Sequence, residues 1–232
     1  LENDELIAGN AFIEAGTFSS ILLGTILAGL VILIHNGTAW TAAIVLFVAI
    51  TGWISSLFVP PTSRAHPELV IRKNFLAETL NIIKFAYSQR EIFLAIIGIS
   101  WSWMVGGTFV SQFPTFTKDV IGAESQIVAI FMCSFSIGIA IGSLTCNKLL
   151  HGEVNPKYIP LAIFIMGFFI ADLYFASQYF INQPHNALLT VAQFLSLPAS
   201  WRIFADIILL SIAGGIYIVP LYALLQVRSP EN

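Results

Sequence analysis

The feature that most constrains the fold is a long apolar run at residues 92–116, with no charged residue between Glu91 and Lys118. A helix that crosses the hydrocarbon core of a bilayer needs about 20 predominantly apolar residues, which this run supplies. The sequence holds five further runs of this kind, at residues 10–34, 38–59, 127–146, 158–181 and 201–225. It therefore predicts an all-α membrane protein with six transmembrane helices.

The composition excludes several other classes of protein. Hydrophobic residues make up 57% of the chain and charged residues 10%, whereas about 25% of a soluble domain is charged. The net charge of −3 gives no basic surface for nucleic acid. The four histidines fall in four separate connections, and Cys133 and Cys146 lie on one apolar run as two buried thiols. No metal site and no cofactor are expected.

The connection at residues 60–91 differs from the others because it is long and basic. Its second part, residues 74–89, carries apolar side chains on one side and polar side chains on the other, which predicts an amphipathic helix. Two interpretations remain open. The helix lies in the membrane surface, or it is a linker that packs on the ends of the transmembrane helices.

The distribution of Lys and Arg predicts how the chain is oriented. Residues 60–91, residues 147–157 and the C-terminal tail share one side if six helices alternate in direction. That side carries Arg64, Arg72, Lys73, Lys84, Arg90, Lys148, Lys157 and Arg228, and the opposite side carries Lys118 and Arg202. Basic residues concentrate on the cytoplasmic side of membrane proteins. The sequence therefore predicts that residues 60–91 are cytoplasmic and that residues 182–200 are external.

Three acidic residues, Glu14, Asp172 and Asp206, lie in or near apolar runs. Charges at that depth are costly and usually face a partner or a water-filled pathway. Each also has a structural interpretation. Glu14 is near a helix start, where the helix dipole favours negative charge. Asp206 follows Arg202 by four residues, which favours an ion pair on one helix face. Asp172 is either a pathway residue or an interhelical hydrogen-bond acceptor.

Aromatic and polar residues mark residues 92–116 as a helix inside a bundle. Trp101 and Trp103 are placed mid-run, whereas Trp usually collects at the membrane–water interface. Gln112 and Pro114 interrupt the apolar pattern near the end of the run. Packing is the favoured interpretation of the two tryptophans. Together with Gln112 and the three acidic residues, they are candidates for a substrate pathway.

Small residues recur every four positions on two of the predicted helices. This spacing puts them on one helix face, where a neighbouring helix can approach closely. We therefore expect helix packing at two rows, Gly98, Ser102 and Gly106 on the third run, and Ser134, Gly138 and Gly142 on the fourth.

Motifs of the common enzyme classes are absent from the sequence. The chain has no phosphate-binding loop, no G-x-S-x-G nucleophile elbow, no H-E-x-x-H zinc motif and no glycine-rich dinucleotide turn. No histidine is followed five positions later by aspartate, as the H-x-x-x-x-D pattern of glycerolipid acyltransferases requires. The sequence therefore predicts that these residues are not an enzyme.

Three stretches carry a resemblance to a known family: ELIAGNAFIEAGTFSSILLGTILAG, WSWMVGGTFVSQFPTFTKDVIGA and VPLYALLQVRSP. They resemble the bacterial lysophospholipid transporters of the major facilitator superfamily. That family has twelve spans in two six-helix halves, and the resemblance aligns this chain with spans five to ten. It implies three parts: the end of the N-terminal half (1–59), a cytoplasmic loop between the halves (60–91), and the start of the C-terminal half (92–232).

The resemblance also implies a function. Members of the family move lysophospholipids inward across the bacterial inner membrane for re-acylation, so the implied partners are the lysophospholipid, membrane lipids and the remaining spans of a longer parent chain. In some bacteria the transporter is fused to an acyltransferase and an acyl-carrier-protein ligase, whose catalytic part would lie outside these residues. Two alternatives remain: another facilitator-type exporter or importer, and a non-transporting membrane module of a fused phospholipid acyltransferase.

Overall fold

The structure, a computed structural model, describes residues 5–32, 34–59, 75–182 and 188–228. These residues form six helices that are long and apolar enough to cross a membrane. They are α1 (Leu6–Val31), α2 (Gly37–Ser56), α4 (Arg90–Thr115), α5 (Gln126–Leu150), α6 (Ile159–Ile181) and α8 (Pro198–Arg228), and the shorter helices are α3 (Phe75–Ser88) and α7 (Val191–Ser196). The prediction of an all-α membrane protein with six apolar helices is confirmed.

The fourth helix departs from regular α-geometry near its end. Pro114 lies inside α4 and lacks the N–H that an α-helical hydrogen bond requires. The chain continues as one π-helical turn, Phe116–Ile121, which extends the apolar span. Gly122 then ends the segment with a φ of 70°, a left-handed conformation that glycine adopts at little cost.

Helix α8 is the centre of the bundle. In its most apolar stretch 67% of the residues are buried, against 6% in the corresponding stretch of α2. It packs against α5, α6, α4 and α1, whereas α2 packs mainly on α1. Because α8 touches four other long helices, its residues have the greatest influence on how the bundle is arranged.

An aromatic cluster lies where α4, α5, α7 and α8 meet. Phe131 is fully buried, and its ring centroid lies 5.6 Å from that of Phe204 and 5.9 Å from those of Phe113 and Phe194. The pairs with Phe204 and Phe194 are edge-on, and such pairs add about 0.5–1.5 kcal/mol each beyond the area they bury. The cluster therefore fixes short α7 to the ends of three long helices.

Backbone contacts show which connections share a side of the bundle. Leu189 donates to Gly122 O at 2.8 Å and accepts from Glu124 N at 3.0 Å, which joins the α4–α5 connection to the chain between α6 and α7. At the opposite end, Arg228 pairs with Glu91 at 2.7 Å, which joins the end of α8 to the start of α4. This arrangement matches helices that alternate in direction. Which side is cytoplasmic stays a prediction from the Lys and Arg count.

Helix α3 (Phe75–Ser88) forms within the region where the sequence predicts an amphipathic helix. It packs on α4, with Ala86 buried and the Tyr87 ring 5.1 Å from the Phe93 ring, edge-on. Most of its other apolar side chains are exposed. The first part of the connection, residues 60–74, lies outside the described residues.

Candidate functional site

Helices α5 and α8 touch through their backbones along a glycine seam, formed by Gly138, Gly142 and Gly215. A Cβ atom at Gly142 would overlap the carbonyl oxygen of Ile212 and lie 2.9 Å from its Cα. A Cβ at Gly215 would overlap the carbonyl oxygen of Ile139. Only glycine permits this approach, because any side chain would force the two helices apart.

The third member of the seam, Gly138, faces α8 one turn further along. A Cβ there would overlap the hydroxyl of Ser211 and lie 2.9 Å from the carbonyl oxygen of Ile208. Ser134, which the sequence groups with Gly138 and Gly142, is half-buried, and its hydroxyl donates to Ile130 O of its own helix at 2.9 Å.

The row of small residues on α4 is only partly a packing surface. Gly98 packs against α8: a Cβ there would lie 2.8 Å from Tyr217 Oη, and that hydroxyl donates to Gly98 O at 3.1 Å. The expectation for Gly106 is wrong, since no atom lies within 4 Å of a Cβ placed there. Ser102 and Gly106 instead line an open space. The reason is that a cavity begins beside this part of α4.

This cavity lies between α1, α4, α5, α6 and α8 and has a volume of about 320 Å³. Its wall is mainly apolar, with Phe18, Phe109, Phe135, Ile139, Met166 and Ile218 among the lining residues. Lining residues of α1 run from Glu14 to Thr25, a rise of about 16 Å along the helix. The space is therefore elongated along the bundle and suits a ligand with a long apolar part.

Among the described residues, Glu14 is the one charged residue that lines this cavity. Its relative exposure is 6%, and among the described residues no hydrogen bond or ion pair is found for its carboxyl group. Asn10, one turn earlier on α1, instead exchanges hydrogen bonds with Gln226 of α8 at 2.9 and 3.2 Å. The helix-start interpretation of Glu14 does not describe its surroundings, because α1 begins at Leu6, two turns before it.

Asp172 has a polar partner on a neighbouring span. Arg202 of α8 donates to both of its carboxylate oxygens, from Nε to Oδ2 at 3.0 Å and from Nη2 to Oδ1. The expectation that Arg202 pairs with Asp206 is therefore wrong. Asp206, one turn along α8, is 2% exposed, and its Oδ2 has no hydrogen-bond partner in the described part of the chain. Arg202 pairs with Asp172 rather than Asp206 because Asp172 presents both carboxylate oxygens to the guanidinium group, which forms a bidentate pair.

The remaining predicted pathway residues divide between the cavity and its surroundings. Trp103 lines the cavity, and its Nε1 donates to Tyr222 Oη of α8 at 2.7 Å. Trp101 packs edge-on against Tyr217 at 5.7 Å, as the packing interpretation describes. Gln112 is exposed and is not part of the cavity wall. Of the six predicted pathway residues, the structure brings together Glu14 and Trp103 at this cavity.

Sequence reasoning missed most of the cavity wall. Phe18 and Thr25 on α1, Ser136 on α5 and Ser211 on α8 gave no signal of their own. The spacing of Phe18, Ile21 and Thr25 after Glu14 could have indicated one continuous face of α1. Within the described ranges, no three His, Cys, Asp or Glu side chains are grouped so as to hold a metal ion.

The fold and this site define a multi-pass, all-α membrane protein with an elongated, mainly apolar cavity, and Glu14 places a carboxyl group in its described wall. Comparison with curated proteins then finds homologues named lysophospholipid transporter LplT. The relative from Enterobacter sp. (strain 638) is 25% identical over 231 residues, and that from Klebsiella pneumoniae is 26% identical over 233 residues. Each alignment covers 99% of this chain and 52% of the relative, so the chain spans about half the length of the curated relatives it matches.

A third relative with the same name, from Escherichia fergusonii, is 23% identical over 240 residues, again across 99% of this chain. No family model matches the chain. No solved structure matches it either.

Proposed function

We propose that this chain is part of a secondary transporter that moves lysophospholipids inward across the bacterial inner membrane for re-acylation. The observation that carries the proposal is the alignment of 99% of the chain with curated relatives named lysophospholipid transporter. The alignment extends through every helix that lines the cavity, so the likeness is not confined to one span.

The cavity supports the proposal on physical grounds. A lysophospholipid has one long acyl chain and a polar headgroup, and the cavity offers an elongated apolar wall with a carboxyl group at one end of its α1 face. Ligand sites in proteins are generally of this kind, mostly apolar with a few polar groups that fix orientation. A hydrophilic drug or metabolite would leave most of this wall without a matching surface.

In the proposal the chain divides as the family resemblance implies. Residues 1–59 belong to the N-terminal half of a facilitator-type bundle, residues 60–91 to a cytoplasmic connection, and residues 92–232 to the C-terminal half. The two halves rock against each other about a central site, as in other transporters of this kind. The relatives are named as transporters, and we infer that these residues transport rather than catalyse. An acyltransferase or ligase in a fused parent chain would lie elsewhere.

The test is uptake of a lysophospholipid by the complete protein. Spheroplasts from a strain without its own lysophospholipid uptake would carry either the complete gene or the empty vector, and both would receive radiolabelled lysophosphatidylethanolamine. We expect accumulation of label, and of its re-acylated product, only with the gene. Equal label in the two preparations would overturn the proposal.

Orientation has its own test. The test uses a protein in which Cys133 and Cys146 are replaced by alanine and Ser63 by a single cysteine. A membrane-impermeant maleimide is added first to intact cells and then to opened cells. The proposed cytoplasmic location predicts labelling only after the cells are opened. Labelling in intact cells would place residues 60–91 outside and reverse the orientation.

A further inference from the structure

Asp206 is a carboxyl group that the chain's own helices bury. It lies on α8 about two turns after the helix begins at Pro198, and only 2% of its surface is exposed. Its Oδ2 atom has no hydrogen-bond partner among the described residues and almost no accessible surface. Because the described helices already close around this atom, residues of a longer parent chain cannot reach it in this conformation.

The charges around Asp206 do not balance. Among the described residues, the groups that act on it are Asp172 of α6 and Arg202 of its own helix, whereas α4, α5 and α7 contribute none. Arg202 donates its two side-chain hydrogen bonds to Asp172. One guanidinium group therefore faces two carboxyl groups and is paired with only one of them. An ionised Asp206 would be a second, unpaired negative charge in the interior, which is costly.

The close packing around Oδ2 limits what can balance that charge. Hard cations such as Ca²⁺ and Mg²⁺ take about six or more oxygen ligands, and a water molecule needs a cavity of its own size. An oxygen atom with almost no accessible surface has no such space beside it. A proton needs no cavity, because it is bound covalently to the carboxylate oxygen.

We propose that Asp206 binds a proton in this conformation, and that Asp206 and Asp172 compete for Arg202. While Asp206 is protonated, Arg202 pairs with Asp172, which is the arrangement in the structure. When the O–H bond breaks and the proton passes to water, the electron pair stays on Asp206. The ionised Asp206 then attracts the guanidinium group, four residues earlier on the same helix face, away from Asp172.

This proton-binding site links the protonation of one carboxyl group to the contact between α6 and α8. Proton relays in membrane transporters are built from acidic side chains inside transmembrane helices. The inference goes beyond the proposed function and does not depend on which substrate the protein carries.

Infrared spectroscopy of the complete protein in lipid bilayers tests the proposal. A protonated carboxyl group has a C=O stretching band that is separate from the bands of a carboxylate, and exchange into D₂O shifts it. Spectra would be recorded at neutral pH for the parent, Asp206→Asn, Asp172→Asn and Arg202→Gln. Glu153→Gln is the matched control, because Glu153 is exposed on the connection after α5. Thermal unfolding in detergent is measured for each protein.

We expect Asp206→Asn to lose one carboxylic-acid band that the parent has. Arg202→Gln should keep this band, because without the guanidinium group nothing favours the ionised form of Asp206. Asp172→Asn should lose most of it, because Arg202 is then free to pair with Asp206. Asp206→Asn should melt at the temperature of the parent, since asparagine has the shape of a neutral aspartic acid. Glu153→Gln should match the parent in both measurements.

Four other results would overturn the inference. Identical carboxylic-acid bands in the parent and Asp206→Asn would show that Asp206 is ionised. A band that persists in Asp172→Asn, or that disappears in Arg202→Gln, would show that the two carboxyl groups do not compete for Arg202. Failure of Asp206→Asn to fold would mean that the protein needs the negative charge at this position. None of these results depends on uptake, so the lysophospholipid transport proposed above keeps its own test.

Discussion

Glycines lie both at the α5–α8 contact and on the α4 side of the cavity, but their surroundings differ. At the first the helices touch, and at the second there is open space. In the glycine seam, backbone of the other helix fills the place of the missing Cβ at Gly142 and Gly215, and the Ser211 hydroxyl fills it at Gly138. At Gly106 and Gly107 no atom lies within 4 Å of the missing Cβ, and the space belongs to the cavity. Glycine thus serves close packing in one region and an open space in the other. The neighbouring helix, rather than the glycine itself, decides which of the two results.

The sharpest way to break this comparison is to add side chains to both kinds of glycine. Gly142→Leu should destabilise the protein by about 3 kcal/mol or more, the upper end for overpacking, because the new side chain meets the backbone of Ile212. The matched control is Gly167→Leu on α6, where no atom lies within 4 Å of the added Cβ. Thermal unfolding in detergent measures both. Equal melting temperatures would show that the seam does not hold the helices together.

Substitution of Arg202 on α8 tests whether an ion pair contributes as much to stability as the glycine seam does. Arg202→Gln leaves the Asp172 carboxylate without its bidentate partner, and we expect a moderate fall in melting temperature, smaller than that of Gly142→Leu. The effect is also smaller than that of breaking a fully buried pair, because Arg202 is half exposed.

A second substitution in the same region sharpens that result. Asp172→Asn should cost less than Arg202→Gln, and adding it to Arg202→Gln should recover part of the lost stability. The cycle of single and double variants isolates the pair. Strictly additive losses would mean that Asp172 and Arg202 do not interact in the folded protein.

The amide pair between α1 and α8 is expected to have a smaller effect. Asn10→Ala removes the partner of Gln226, with an expected loss of about 1 kcal/mol, typical of one interhelical hydrogen bond in a membrane protein. Unfolding of Asn10→Ala, Gln226→Ala and the double variant measures it. If the double variant loses as much as the two single losses together, the amides do not act as a pair.

Among these substitutions, we expect the smallest change in stability for Gly106→Leu, which lies at the cavity. Gly106→Leu places a side chain into the cavity, and no atom lies within 4 Å of the added Cβ, so the melting temperature should stay the same or rise slightly. Lysophospholipid uptake should fall sharply, because the added side chain occupies part of about 320 Å³. Full uptake with a folded Gly106→Leu protein would show that the substrate does not use this cavity.

The sequence predicted the six transmembrane helices because length and apolarity alone determine them. It also indicated the packing faces of α5, since four-residue spacing defines a helix face. It did not indicate which helix each face meets. Gly98 and Gly106 lie on one face of α4, yet only Gly98 has α8 against it, which depends on how the helices diverge.

The prediction of an ion pair between Arg202 and Asp206 was wrong for a related reason. Four-residue spacing favoured a pair between Arg202 and Asp206 on one helix, but Arg202 reaches Asp172 on α6, thirty positions earlier in the chain. Local rules describe what can meet within a helix, whereas partners on other helices depend on the assembled bundle. Glu14 is the same case, because the apolar wall that surrounds it comes from helices distant in sequence.

The backbone contact between α5 and α8 has a consequence for motion. Packed helices slide past each other by readjusting the side chains between them, and at Gly142 and Gly215 the two backbones meet with no side chain between them. We therefore expect α5 and α8 to travel as a single rigid body throughout a transport cycle. Relative displacement is then left to α1 and α4, which meet that body through side chains and carry Glu14 and Trp103. The transport cycle would then be a displacement of α1 and α4 relative to a fixed α5–α8 unit.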